Sequence, residues 1–231
     1  MKNQMKFENS GYYLLGLVIL VVLGFWNSYF SKLFAQTNEF NIYFHFHALL
    51  ASIWILMVIV QPFLVKRGNI EMHRKIGKLS YPVIALVFIS VILLAHSRHT
   101  IEEENLGLRL LVPFKDLIIL GVTYSIAIWN RKITSIHARA MIASGVVFIE
   151  PALIRAVRNF LDVGAPYMLT IGIVYLILLI LTVVTWKHKK GRWVFPLVLL
   201  MYVAVHLILK LRIQIGPLEN FAQWFVQLPL T

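Results

Sequence analysis

Cysteine is missing from this chain. Disulfides, thiolate metal ligands and cysteine nucleophiles are therefore excluded. Charge is scarce as well. Only 14% of the 231 residues are Asp, Glu, Lys or Arg, where an average soluble domain carries about a quarter. Acidic residues are the scarcest part, ten against 22 basic ones. So low a polar content excludes an ordinary soluble enzyme and a disordered chain. No glycine-rich phosphate loop, H-E-x-x-H pair or G-x-S-x-G nucleophile elbow is present, which removes the local signatures of nucleotide binding, zinc proteolysis and serine hydrolysis.

Apolar sequence fills the space. Hydrophobic residues make up 59% of the chain. They gather into seven runs, Tyr12–Phe30, Phe44–Val65, Leu79–His96, Leu110–Trp129, Ala138–Arg158, Tyr167–Trp186 and Val194–Leu211. A helix of about 20 residues crosses the ~30 Å hydrocarbon layer. Helices also satisfy their own backbone polar groups in lipid. The expected fold is all-α: one integral membrane domain over residues 1–231, a bundle of seven transmembrane helices. Lys2 and Lys6 precede the first run as they would in a secretory signal. The run lacks a small-x-small cleavage site and further spans follow, so it reads as a retained first helix. The tail after Leu211, with Pro217, Pro229 and several aromatics, is expected along the interface.

Charge sets the expected orientation. With the N-terminus inside, the inner segments hold 14 basic residues and only Glu8 and Glu71 as acids, an excess of twelve. The other eight basic and eight acidic residues cancel. The positive-inside rule then gives N-inside, C-outside. Anionic inner-leaflet lipid accounts for these basic loops, so the expected partner is the bilayer and not nucleic acid.

Ionisable groups at membrane depth are costly and tend to face a bundle interior or cavity. In the second span His47, Trp54 and Gln61 share a face at about 100° per residue, whereas His45 lies about 200° from His47. His96 and His99 stand at i,i+3 near the same outer boundary. Together these four form a candidate outer histidine cluster. Lys115-Asp116 in the fourth span reads either as an internal ion pair or as a carboxylate orienting a histidine. Glu150 and His206 each fall about 12 residues, or ~18 Å, above the inner boundary. They are candidates for one deep polar site, with Arg155 and Lys210 beside it for an anionic group. At the inner boundary His73-Arg74 and His137-x-Arg139 each begin a helix.

Several of these elements resemble the DUF2306-like bacterial multi-pass membrane proteins. The matching portions are His47 through Gln61, His73-Arg74 with Gly77 and Tyr81, and His137-x-Arg139-x-Met141-x-x-Ser144 followed by Arg155. They cover Phe44–Arg158, about half of the chain. Ala140 and Ala143 stand where the family pattern has tryptophan and arginine. The resemblance implies a place in the bacterial cytoplasmic (inner) membrane. It draws attention to His47, Gln61, His73, Arg74, His137 and Arg155 without naming a reaction.

Three functions remain open on the residues. In a redox protein, b-type haem would take His47 with His96 and His73 with His137 as axial pairs, Arg74 or Arg155 would meet propionates, and a quinone is an alternative partner. In a metal-dependent membrane hydrolase or lipid-modifying enzyme, zinc would draw on His45, His47, His96, His99 and His206, with Asp116 or Glu150 orienting a ligand or acting as base. In a non-enzymatic carrier, sensor or assembly factor, Lys210 with Arg155 would take an anion or other small molecule, and Glu150 with His206 would couple to a proton.

Overall fold

A computed structural model describes residues 7–37 and 39–231. Lys2 and Lys6, both part of the expected inner charge, lie outside the described residues. Seven helices are long and apolar enough to cross a membrane: α1 (Ser10–Phe34), α2 (Ile42–Lys66), α3 (Ile70–His96), α4 (Leu106–Trp129), α5 (Thr134–Phe160), α6 (Pro166–Thr185) and α7 (Val194–Leu211). A short α8 (Gly216–Val226) follows. Among the described residues there is no strand. The chain is an all-α, multi-pass membrane protein. Its connections alternate between two ends of the bundle. One, here the tail end, carries α8 and the α1–α2, α3–α4 and α5–α6 turns.

Local chemistry fixes the helix boundaries. Asn41 caps α2 by accepting the Tyr43 and Phe44 amides at 3.1 and 3.3 Å. Asn69 caps α3 by accepting the Met72 amide at 3.1 Å. Side-chain caps of this kind satisfy backbone N–H groups that the first turn leaves free. The Asn69 cap starts α3 at Ile70, well before the expected Leu79, so His73 and Arg74 are helical. Pro166 opens α6 at a position that needs no amide hydrogen. α5 also begins and ends beyond its expected bounds, and it breaks at Val147–Phe148. Pro151 supplies the cause. It has no N–H for the Val147 carbonyl, and its ring crowds that carbonyl.

α5 is the hub. Half of its apolar window is buried, more than in any other span. Its first half packs on α4 and α7, and its second half on α1 and α6. Lipid tails are as apolar as leucine, so helix association here rests on close packing and hydrogen bonds. Gly24 shows how close the packing is: a Cβ there would overlap the Ala152 carbonyl of α5. Asn159 locks the same crossing by donating to the Gly24 carbonyl at 3.2 Å. The Gly145 site faces Leu14 and Val58.

The outward faces are apolar. Leu176, Leu179, Ile180 and Val183 of α6 are exposed, as are Leu15, Ile19 and Val22 of α1. So much contiguous apolar surface suits lipid rather than water. Exposed Tyr13, Trp129, Trp186 and Trp193 ring the end opposite the tail, and Trp26, Phe160 and Trp224 lie at the tail end. These are the aromatic belts expected at two membrane–water boundaries.

At the tail end α8 covers the start of α4. Ala222 and Phe225 pack with Leu106 and Leu110. The Glu219 carboxylate accepts the Gly107 amide at 2.9 Å, capping α4 from another helix. Asn105, at φ +56°, supplies no side-chain cap itself. A Cβ on Gly107 would also crowd the Glu219 backbone nitrogen at 3.1 Å and its Cα at 3.2 Å, so α8 and α4 approach closely here.

Candidate functional site

The densest polar contact lies inside the bundle, between α4, α5, α6 and α7. Lys115 is 1% exposed, and its Nζ meets Asp116 Oδ1 and Glu150 Oε2, each at 2.8 Å. His206 Nε2 stands 3.3 Å from the same Glu150 oxygen. That contact has ion-pair distance without hydrogen-bond alignment. The other ring nitrogen, Nδ1, shares a hydrogen bond with the Tyr175 hydroxyl at 3.0 Å. Tyrosines wall the centre. Tyr175 stacks on His206 at 5.7 Å, Tyr202 tilts against it at 5.5 Å and Tyr167 meets it edge-on at 6.1 Å. Lys115 Nζ also lies 5.1 Å from the Tyr202 ring centroid. The buried Tyr202 hydroxyl has no hydrogen-bond partner among the described residues.

The Pro151 break positions this centre. It restarts α5 at Ile149, placing Glu150 in the first turn of the new segment, where the free N–H groups and helix dipole favour a carboxylate. Lys115 and Asp116 resolve as an ion pair within α4, extended to Glu150. Lys210, one turn beyond His206, is exposed and makes no ion pair among the described residues.

The tail-end histidines, expected as one outer cluster, have separate partners. His45 Nδ1 pairs with the Tyr29 hydroxyl of α1 at 2.8 Å. His47 Nδ1 lies 3.1 Å from Ser90 Oγ of α3. The Ser90 hydroxyl also donates to the Val87 carbonyl, so Nδ1 of His47 carries the proton between them. His96 is buried against Phe225 and hydrogen-bonds the Thr231 hydroxyl. His99 pairs with Glu103 at 3.0 Å in the α3–α4 connection. Among the described residues, no three His, Asp or Glu side chains converge in a metal-holding group. The proposed zinc set of His45, His47, His96, His99 and His206 is thus dispersed over these partners, and His47 and His96 face different ones.

Glu103 lies outside the spans. Its hydrogen bond with His99, helped by the Thr100 amide and Arg109, holds its carboxyl below the usual carboxylate range. A depressed carboxyl stabilises this connection above its ordinary titration range, and that contribution is lost as pH falls through the folded-state value.

At the opposite end, His73 and His137 meet with ring centroids 6.4 Å apart and planes at 87°. His137 Nδ1 lies 2.9 Å from the Ala127 carbonyl, which can only accept, so that nitrogen carries the proton. The Gln61 amide orientation that satisfies both its ends donates to His73 Nδ1 and accepts the Gly77 amide at 3.1 Å. That orientation leaves the neutral His73 proton on Nε2. Arg74 is exposed and remains outside this contact.

Arg139 corrects one part of the charge reading. It sits in the first half of α5 fully buried, not facing lipid headgroups. Its guanidinium donates to the Ser135, Lys190 and Thr185 carbonyls at 2.8–2.9 Å. It therefore caps the C-terminal end of α6 from within α5. Sequence reasoning also passed over Tyr167, Tyr175 and Tyr202. Tyr202 stands one turn before His206, the spacing that shares a helix face, and that was the available signal.

No protein-family model, curated protein or solved structure matches this chain.

Proposed function

We propose that this protein is a proton-linked small-molecule carrier or sensor of the bacterial cytoplasmic membrane, oriented N-inside and C-outside. The contact of Lys115, Glu150 and His206 carries the reading. Lys115 brings one positive charge to two carboxylates, Asp116 and Glu150. A low-dielectric interior penalises net charge heavily. One further proton, shared between His206 and Glu150, brings this directly paired set to neutrality. Tyr175 on the far nitrogen of His206 provides a route for that proton. The Tyr202 hydroxyl offers a spare hydrogen-bonding position beside it for a polar ligand. Membership of the DUF2306-like family belongs to the same proposal and rests on the elements from His47 to Arg155. The orientation rests on the basic excess of the expected inner segments.

Infrared difference spectra across a pH titration test the proton-linked centre. The expected result is a buried-carboxyl signal that titrates in the wild type and vanishes in Glu150→Gln. A wild-type protein with no such signal would assign the cluster to helix packing alone.

The His73–His137 pair favours a second reading, a redox protein with one b-type haem at that end. Axial ligation needs two imidazoles close to one iron, and these rings approach edge to face at 6.4 Å. The Nε2 proton that Gln61 leaves on His73 weighs against it, because a ligating nitrogen must present its lone pair. A reduced-minus-oxidised spectrum of protein expressed with ample haem separates the two readings. A haem spectrum lost in His137→Ala would favour redox chemistry.

A further inference from the structure

α3 packs chiefly on α2 and leaves an apolar cleft against α4 on the lipid-facing side. The cleft has a volume of about 490 Å³. Ile84, Ala85, Phe88 and Ile89 form its α3 wall, and Gly121 and Tyr124 belong to its α4 wall. Gly121 lets the Phe88 ring lie close, since a Cβ there would stand 3.1 Å from it. Tyr124 fixes one end. Its ring meets Trp54 edge-on at 5.4 Å, and its hydroxyl lies 2.7 Å from Ser80 Oγ. The Ser80 hydroxyl donates to the Gly77 carbonyl at 2.6 Å, so Tyr124 is the donor between the two hydroxyls.

Cations stand at that same end. Tyr81 meets Tyr124 edge-on, with ring centroids 6.4 Å apart. The Arg131 guanidinium donates to the Tyr81 hydroxyl at 3.3 Å. Contact thus runs from Arg131 through Tyr81 to the cleft wall. Lys78 precedes Tyr81 by one helical turn, the spacing that shares a face. Arg131 and Lys78 are exposed, and neither forms an ion pair among the described residues. Glu71, on the same helix as Lys78, is held by Lys75 at 2.6 Å. A guanidinium has five N–H donors. The Arg131 side chain uses only the one on Tyr81 among the described residues. Exposed Trp129 belongs to the aromatic belt of this end, so the cations stand at the membrane boundary and the cleft runs inward from it.

We propose that the α3–α4 cleft holds one acyl chain of an anionic phospholipid whose phosphate is bound by Arg131 and Lys78. The length fits. Tyr81 and Ile89 stand about 12 Å apart along α3. One leaflet supplies half of the ~30 Å hydrocarbon core. The cleft therefore suits a chain of a single leaflet, suspended from a headgroup at the boundary. A chain lying in it touches both walls, a contact that lipid passing over a convex face lacks. The phosphate accepts the unused guanidinium N–H groups in charge-assisted hydrogen bonds, about twice as strong as neutral ones. A second copy in the same orientation fits less well. It would bring its own basic connections to this end and set cation against cation. The cleft shares no residue with the Lys115–Glu150–His206 centre, so its occupancy does not depend on protonation there.

Purified protein in a detergent with a neutral headgroup is titrated with phosphatidylglycerol, and native mass measurement reads the bound lipid. Diacylglycerol with the same chains probes the cleft without the phosphate. Arg131→Gln removes the cation, and Ala85→Phe fills the cleft. Both positions are exposed, so their replacement leaves the packed bundle intact. Lys189→Gln and Leu179→Phe, exposed and outside the cleft, are the controls. The site predicts that phosphatidylglycerol binds the wild type and both controls alike, and about tenfold more weakly in Arg131→Gln and in Ala85→Phe. Diacylglycerol should bind the wild type about tenfold more weakly than phosphatidylglycerol does. Equal binding of diacylglycerol would give the cleft to a neutral apolar occupant. A dimer that persists as lipid is added and is lost in Ala85→Phe would give it to a second copy. Either result, unchanged binding in both test variants, or equal weakening in the controls overturns the proposal.

Discussion

Lys115 shows what a single charge does in this interior. It is the shared partner of Asp116 and Glu150, and it is almost wholly buried. Removing it leaves two carboxylates facing each other in a poor dielectric. Lys115→Met should therefore destabilise the folded protein by about 3–5 kcal/mol, the scale for breaking one partner out of a buried pair. Lys115→Met combined with Glu150→Gln should lose less than the sum of the two single changes, because the unpaired charge goes with its partner. Reversible unfolding in mixed micelles measures the cycle. Additive losses would mean that the two side chains do not depend on each other. Of this contact, the sequence showed Lys115-Asp116 as neighbours and Glu150 with His206 at similar depth. It did not show that one Lys115 nitrogen joins them, because depth along a helix says nothing of which neighbour a side chain faces. Arg139 illustrates the same limit. Its position among the expected inner basic residues suggested a headgroup contact, whereas three backbone carbonyls hold it.

Helix positions were legible where the apolar runs are long and their ends abrupt. The seventh span runs from Val194 to Leu211, as its hydropathy alone indicates. The third begins earlier than its apolar run because Asn69 caps a polar first turn. The break in α5 has a visible sequence cause in Pro151, yet its effect on the facing of Glu150 depends on how both halves pack. The crossing of α1 over α5 depends on an equally local feature, the missing Cβ of Gly24. Gly24→Ala must push α1 away from the Ala152 backbone, which has no flexible end to yield. The expected outcome is a loss of about 1–3 kcal/mol, typical of overpacking, in the same unfolding measurement. Gly16→Ala on the same helix meets nothing within 4 Å and serves as the control. Equal effects of the two changes would remove the close crossing as the cause.

The whole molecule, among its described residues, carries its polarity on the connections and in separate buried contacts, including the Lys115–Glu150–His206 centre and the His73–His137 pair. Its outward apolar faces and paired aromatic belts set how it sits in a bilayer. Which end faces the cytoplasm follows from the proposed N-inside orientation, and the absence of cysteine gives a clean background for testing it. Glu102→Cys, in the α3–α4 connection, should react with a membrane-impermeant maleimide on intact cells. Lys187→Cys, in the α6–α7 connection, should react only after permeabilisation. The reverse pattern would invert the molecule.

Composition by itself determined the helical class, the membrane environment and the number of crossings. Those properties depend on sums over about 20 residues, and such sums survive without knowledge of neighbours. The sequence also marked which ionisable residues were out of place in lipid. Only the tertiary structure decided their partners. It joined Glu150 to His206 through the same centre as Lys115, dispersed the tail-end histidines among Tyr29, Ser90, Thr231 and Glu103, and set His73 against His137. Contacts between helices depend on rotation, crossing and close approach, and a single kink or a missing Cβ resets all three. Hydropathy averages over those variables, so the bundle was readable from the chain and the pairing inside it was not.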